Sequence, residues 1–123
     1  MAKKKILVVE DEAVVARDIE QTLTKLGFDV VGTAQFANEA VAKAAETRPD
    51  LILMDIQLPD ITGINATRML KNTIDFFSIP IIAITAFPQK WKEKECREAG
   101  CDEFIAKPIS VPEFLKKVDM FIG

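Results

Sequence analysis

Four points in the chain place reactive side chains directly after a short apolar run. Glu10, Asp11 and Glu12 follow Lys5–Val9 (KILVV), and Asp55 follows Leu51–Met54 (LILM). Thr85 and the small Ala86 follow Pro80–Ile84 (PIIAI), and Lys107-Pro108 follows Phe104–Ala106 (FIA). Carboxylates brought together repel: two unit charges about 5 Å apart cost roughly 3 kcal/mol at an effective dielectric of about 20. A hard divalent cation removes that conflict, and Mg²⁺ favours a few carboxylates together with water and phosphate oxygens. A carboxylate such as Asp55 can also act as a nucleophile and take up a phosphoryl group as an acyl phosphate. The cation and the Lys107 ammonium would offset charge on the phosphoryl oxygens, and the Thr85 hydroxyl would donate to one of them. The chain contains no histidine, which excludes Ser-His-Asp and Cys-His catalysis and the commonest transition-metal ligand.

Taken singly, each of these features has a plainer reading. An acidic run after a strand is often a helix N-terminus, where Asp and Glu offset the dipole. A lone Asp before a loop is commonly a cap or turn residue, and a strand-end threonine or a Lys-Pro pair is ordinary. Their joint position is what matters. All four sets fall at carboxyl ends of apolar runs, and the sequence shows no such set at the opposite ends.

The elements that would position them are legible. The three strong runs are apolar at successive residues without alternation, which suits parallel strands buried between helix layers. Val30-Val31 and Phe104–Ala106 are weaker versions. Between them, Val15, Ile19, Leu23 and Leu26 recur at helical spacing, with Gly27 as a stop. Ala37–Thr47 reads as a helix ending before Arg48-Pro49. Val111, Phe114, Leu115, Val118 and Ile122 mark the last helix, with Ser110 and Glu113 at capping-box spacing and Pro112 in its first turn. Less sharply patterned helices fall near Ile64–Asn72 and Pro88–Ala99.

Strands alternating with helices imply parallel pairing, right-handed crossovers and a three-layer α/β/α sandwich over residues 1–123 as one domain. In the flavodoxin-like strand order 2-1-3-4-5, ligands bind where the order reverses, between strands one and three. Glu10, Asp11 and Asp55 would converge there, flanked by Thr85 and Lys107.

Composition narrows the function classes. A chain that is 49% hydrophobic and 28% charged belongs with folded globular proteins rather than disordered ones. A net charge of −3 and a pI near 5.0 weigh against direct nucleic-acid binding. Lys3-Lys4-Lys5 reads as a solvated lead-in to the first strand, the alternative being a partner contact. The apolar runs are too short for a membrane span or a signal-peptide core, so the expected location is the cytoplasm. Cys96 and Cys101 lie five apart, match neither CxxC nor a paired metal-ligand pattern, and read as reduced thiols.

These motifs resemble the receiver domains of two-component response regulators over essentially the whole chain. ILVVEDE at Ile6–Glu12 is similar to the family's first strand and acidic pair, and DLILMDIQLPDITG at Asp50–Gly63 to its phosphoacceptor segment, with Pro59 and Gly63 at the usual distances after Asp55. PIIAITA at Pro80–Ala86 and Lys107-Pro108 complete the set. The resemblance implies that Asp55 is the phosphoacceptor. It implies that Asp11, Asp55 and the backbone carbonyl of Gln57 ligate Mg²⁺, with Glu10 nearby or acting through water. Lys107 and Ala86 would contact the phosphoryl group, and the Lys107-Pro108 peptide would be cis. Thr85 and Phe104 would form the switch pair, the threonine moving towards the phosphate and the ring turning into the space it leaves.

Some positions depart from the commonest pattern. Glu10 stands where many members have aspartate, and Phe104 replaces a frequent tyrosine. Gln57 and Phe87 occupy the positions that tune phosphoryl lifetime. The chain offers no nucleotide-binding glycine loop, so the expected donor is a phosphohistidine on a partner kinase or phosphotransfer protein. The catalysis expected is confined to the domain's own phosphorylation and dephosphorylation. The expected readout is a downstream effector on the face of the fourth helix, fifth strand and fifth helix, where Trp91 would be a contact unless it merely shields its own helix. Dimerisation on phosphorylation is a further outcome the family allows. Three classes stand at this point: a stand-alone receiver, a receiver excised from a hybrid kinase or larger regulator, and a flavodoxin-like binding module without phosphorylation. Acids after the first strand, where a phosphate cradle needs backbone amides, disfavour the third.

Overall fold

The structure is a computed structural model that describes residues 3–58, 62–73, 75–86 and 89–122; Pro59, Phe87 and Pro88, named above, lie outside them. Strands and helices alternate: β1 (Lys5–Val9), α1 (Ala13–Lys25), β2 (Asp29–Ala34), α2 (Ala37–Thr47), β3 (Leu51–Asp55), α3 (Gly63–Lys71), β4 (Ile81–Thr85), α4 (Lys90–Ala99), β5 (Glu103–Ala106) and α5 (Val111–Ile122). The sheet runs β2-β1-β3-β4-β5, and every pairing is parallel. This is the α/β/α sandwich and strand order expected from the sequence.

Every residue of β3 and β4 is buried, because these central strands are covered on both faces. Successive side chains point to opposite faces. Leu7, Val9, Ile52, Met54 and Ala83 therefore pack towards α2, α3 and α4, whose Ala40, Ala44 and Leu70 lie in the same buried cluster. Ile6, Val8, Leu53, Ile84 and Ile105 pack towards α1 and α5 through Ile19, Leu23, Phe114 and Val118. Phe28 and Phe114 meet edge to face, with ring centroids 6.2 Å apart, and close this second core at the sheet's far end.

The weakly patterned elements have a physical reason. Edge strand β2 is longer than its Val30-Val31 centre suggests, yet only Ala34 is fully buried. In α4 only Cys96 and Ala99 are buried, so little apolar periodicity is required of it. Helix α2 stops where Arg48 takes a left-handed conformation ahead of the buried Pro49.

Candidate functional site

The carboxyl ends of β1, β3, β4 and β5 share one rim of the sheet. The parallel register aligns Val9 with Met54, Asp55 with Ile84, and Thr85 with Ala106. Glu10 is fixed at the end of β1 by its amide, which donates to the Ala34 carbonyl at 2.8 Å. The Lys107 amide donates to the Thr85 carbonyl at 2.7 Å, which holds the chain after β5 against the end of β4. Its peptide bond to Pro108 is cis.

Glu10, Asp11 and Asp55 each offer a carboxylate oxygen, and these three atoms lie within 4.8 Å of one another. Glu10 is fully buried and Asp55 is 3% exposed, so two of the three charges are largely removed from water. Lys107 reaches into the group, with its Nζ 3.2 Å from Asp55 Oδ2 and 2.5 Å from Glu10 Oε2. The second contact is an ion pair by distance only. Among the described residues, Glu10 Oε2 is the buried side-chain oxygen to which no donor points. Asp55 is better held: the Gln57 amide donates to its Oδ1 at 2.9 Å and Lys107 to its Oδ2.

The electrostatics follow. Burial pushes the Glu10 carboxyl up to about 7; the Lys107 ammonium opposes that shift and the neighbouring Asp55 adds to it. Burial alone would lower the Lys107 pKa, but Glu10 and Asp55 outweigh it and hold the ammonium above its ordinary range. Three acidic groups against one lysine leave a net negative, partly dehydrated cleft. A fully buried carboxylate beside two further carboxylates is a donor set that suits a hard divalent cation.

The loop after Asp55 is set by Gly63. Its amide donates to the Ile56 carbonyl at 2.9 Å, and a Cβ there would overlap the Asp55 carbonyl oxygen and fall 2.5 Å from the Ile56 Cα. Only glycine lets α3 start this close to the end of β3. Thr62 Oγ caps the helix by accepting from the Asn65 amide at 3.2 Å. The sequence reading used Gly63 only as a spacing marker; the T-G pair before an apolar helical pattern was the available sign.

Other expected positions fall as follows. Thr85 is fully buried at the tip of β4, and exposed Ala86 follows it. Phe104, on the neighbouring strand, is 8% exposed and lies in the core cluster shared with Cys96, Ala99 and Cys101. Its partner across the ladder is Ala83, so Phe104 and Thr85 share a face of the sheet. Gln57 is exposed and is joined to the site by its amide. Trp91 is 56% exposed, with Lys92 Nζ of the same helix 5.7 Å from its ring centroid. Beside the acidic group, α1 and α5 frame an apolar groove of about 460 Å³ whose wall includes Ala86 and Lys107. Among the described residues, no helix is long and apolar enough to cross a membrane.

Known proteins resemble this chain along nearly its whole length. The polar-differentiation response regulator DivK of Brucella anthropi is 39% identical over 120 residues, covering 98% of this chain and 97% of that one. The receiver domain of a sensor histidine kinase from Pseudomonas aeruginosa, solved with a magnesium ion coordinated in its active-site cleft, superposes with a TM-score of 0.89 at 35% identity and 99% coverage of both chains. A response regulator structure from Chloroflexus aurantiacus gives a TM-score of 0.91 at 26% identity, covering 98% of each. The sequence model of the response regulator receiver domain matches residues 6–119, and the chain belongs to that family.

Proposed function

We propose that residues 1–123 act as one phosphorylatable signalling unit in which Asp55 accepts a phosphoryl group from a phosphohistidine on a partner kinase or phosphotransfer protein. The observation that carries this reading is Asp55 itself: a buried carboxylate at a strand end, steadied by one amide and one ammonium, inside an acidic triangle. Asp55 attacks phosphorus, the P–N bond breaks as the O–P bond forms, and the electron pair leaves with the imidazole. A Mg²⁺ ion held by Glu10, Asp11, Asp55 and the Gln57 carbonyl would supply charge neutralisation for the transferred oxygens. Lys107 turns from Glu10 and Asp55 to an incoming phosphoryl oxygen. The Thr85 hydroxyl and the Ala86 amide donate to the others.

The switch then follows from packing. Thr85 moving to the phosphoryl group shifts the equilibrium in favour of an inward Phe104. The altered surface is that of α4, β5 and α5, read by an effector with Trp91 among the contacts, or by a second copy on dimerisation. The likeness to the response regulator DivK makes a stand-alone unit the first reading. The similarity to a histidine kinase's receiver keeps an excised origin as the second reading.

The test is phosphoryl uptake from a phosphohistidine donor with Mg²⁺. Wild type should label and Asp55→Asn should not. Equal labelling of the variant would reject Asp55 as acceptor. Beryllofluoride with Mg²⁺ should change the spectrum of wild type; no response would favour a binding module without phosphorylation.

A further inference from the structure

Two buried cysteines outside the acidic cleft have no part in that chemistry. Cys96 is 1% exposed in the last turn of α4, and Cys101 is 6% exposed in the chain leading to β5. They stand at defined places in the helix-ending turn. The Cys101 amide donates to the Cys96 carbonyl at 3.0 Å and the Gly100 amide to the Arg97 carbonyl at 3.1 Å. Gly100 is left-handed, with φ 113. This is the six-to-one and five-to-two pattern of a Schellman motif, in which the residue after the glycine packs against the one five before it. Here both are cysteines, and both lie in the same buried cluster. A five-residue spacing that matches no linear dithiol signature thus becomes a spatial pair once the helix ends on Gly100.

We propose that Cys96 and Cys101 form a reversible thiol–disulfide pair that ties the last turn of α4 to the chain entering β5. With a small disulfide as oxidant, the thiolate of either cysteine attacks one sulfur, the oxidant's S–S bond breaks, and one thiolate leaves. The other cysteine gives its proton to solvent and attacks the sulfur of the first, and the second thiolate leaves. The oxidant is reduced to two thiols as the protein dithiol becomes a disulfide. Access comes through the end of α4, where helices open most readily. The bond would lie in the core cluster that holds Phe104, so oxidation would stiffen the α4–β5 connection. The dithiol chemistry does not depend on the role of Asp55.

The experiment is incubation of the whole protein with oxidised glutathione, followed by acid quench, alkylation and mass spectrometry. The expected product is a monomer lighter by two hydrogens, restored by dithiothreitol. Trypsin cuts after Arg97, between the two cysteines, so the bond should appear as two cross-linked peptides. Cys101→Ala and Cys96→Ala should each stop at a stable glutathione adduct on the cysteine that remains. Amide exchange across the last turn of α4 should slow in the oxidised protein. A wild-type protein that stays reduced, keeps a stable glutathione adduct or cross-links between chains would overturn the pairing.

Discussion

The two rims of the sheet use the same side-chain types to opposite ends. At the amino rim, Lys71 Nζ donates to Asp102 Oδ2 at 2.8 Å, to the Ile79 carbonyl at 2.8 Å and to the Phe77 carbonyl at 3.3 Å. Asp102 Oδ2 also accepts from the Ile81 amide at 2.9 Å, and Asp50 Oδ2 accepts from the Lys5 amide at 2.7 Å. The ammonium's three donors are all used, so this rim is a clamp joining α3, β4 and the start of β5. At the carboxyl rim, Lys107 faces two buried carboxylates and Asp11 adds a third, so one ammonium serves three acids. A saturated lysine–aspartate cluster stabilises the fold, whereas an unsaturated one keeps capacity for a ligand at some cost in stability.

Removing a charge should therefore differ in sign between the two rims, and a substitution in the loop after β3 tests how rigid the carboxyl rim is. Gly63→Ala should have the largest effect. Its methyl would strike the Asp55 carbonyl and the Ile56 Cα, so the backbone must part. A loss of at least about 3 kcal/mol in urea unfolding is expected, together with weakened Mg²⁺ binding, because the Asp55 loop moves too. At the amino rim, Lys71→Met removes the donor from a partly buried carboxylate and two carbonyls. The expected destabilisation is about 2 to 3 kcal/mol. A neutral result would mean that the clamp is no different from a surface ion pair.

The contrast also marks what the sequence could convey. The carboxyl rim was legible because each reactive residue ends a continuous apolar run, so chain order alone places Glu10, Asp55, Thr85 and Lys107 in one line. The clamp was not. Lys71 and Asp102 lie 31 residues apart, and each looks like an ordinary surface charge until α3 and β5 are packed. The reading that the opposite strand ends lack such a set gave no sign of this structural cluster. Likewise, Glu10 was expected near the metal, but its direct ion pair with Lys107 depends on β1 and β5 being close across two intervening strands. The central strands were read to within a residue because burial on both faces imposes an unbroken apolar run. Strand β2 and helix α4 bury little and leave only a faint pattern.

Glu10→Gln should act in the opposite direction to Lys71→Met. The folded carboxyl titrates at about 7 against an ordinary 4.5, so as pH rises the unfolded chain loses this proton first. Both states are protonated below that ordinary value and no penalty exists; the penalty grows through the interval and is complete above about 7. Metal-free wild type should thus lose stability across that window. The variant should lack that slope and gain on the order of 2 kcal/mol at pH 8, after allowing for its lost ion pair with Lys107. Urea unfolding at a series of pH values measures both. A variant less stable than wild type at pH 8 would show that the ion pair outweighs the burial of Glu10.

The smallest metal-free effect should come from Asp11, the most solvent-facing of the three acids. Water already screens much of its repulsion, so Asp11→Asn should stabilise by less than about 1 kcal/mol without metal. Its value lies in the change when Mg²⁺ is added. A cation that binds only the folded state stabilises by mass action, about 2.7 kcal/mol at one hundred times its dissociation constant. Wild type should rise in melting temperature by that route, while the variant, with one carboxylate fewer, should rise much less. The two melting curves should therefore cross in order on adding the ion. Equal Mg²⁺ shifts in both would place the cation away from the acidic triangle. The unsaturated rim would then be a strained end of the sheet rather than a binding site.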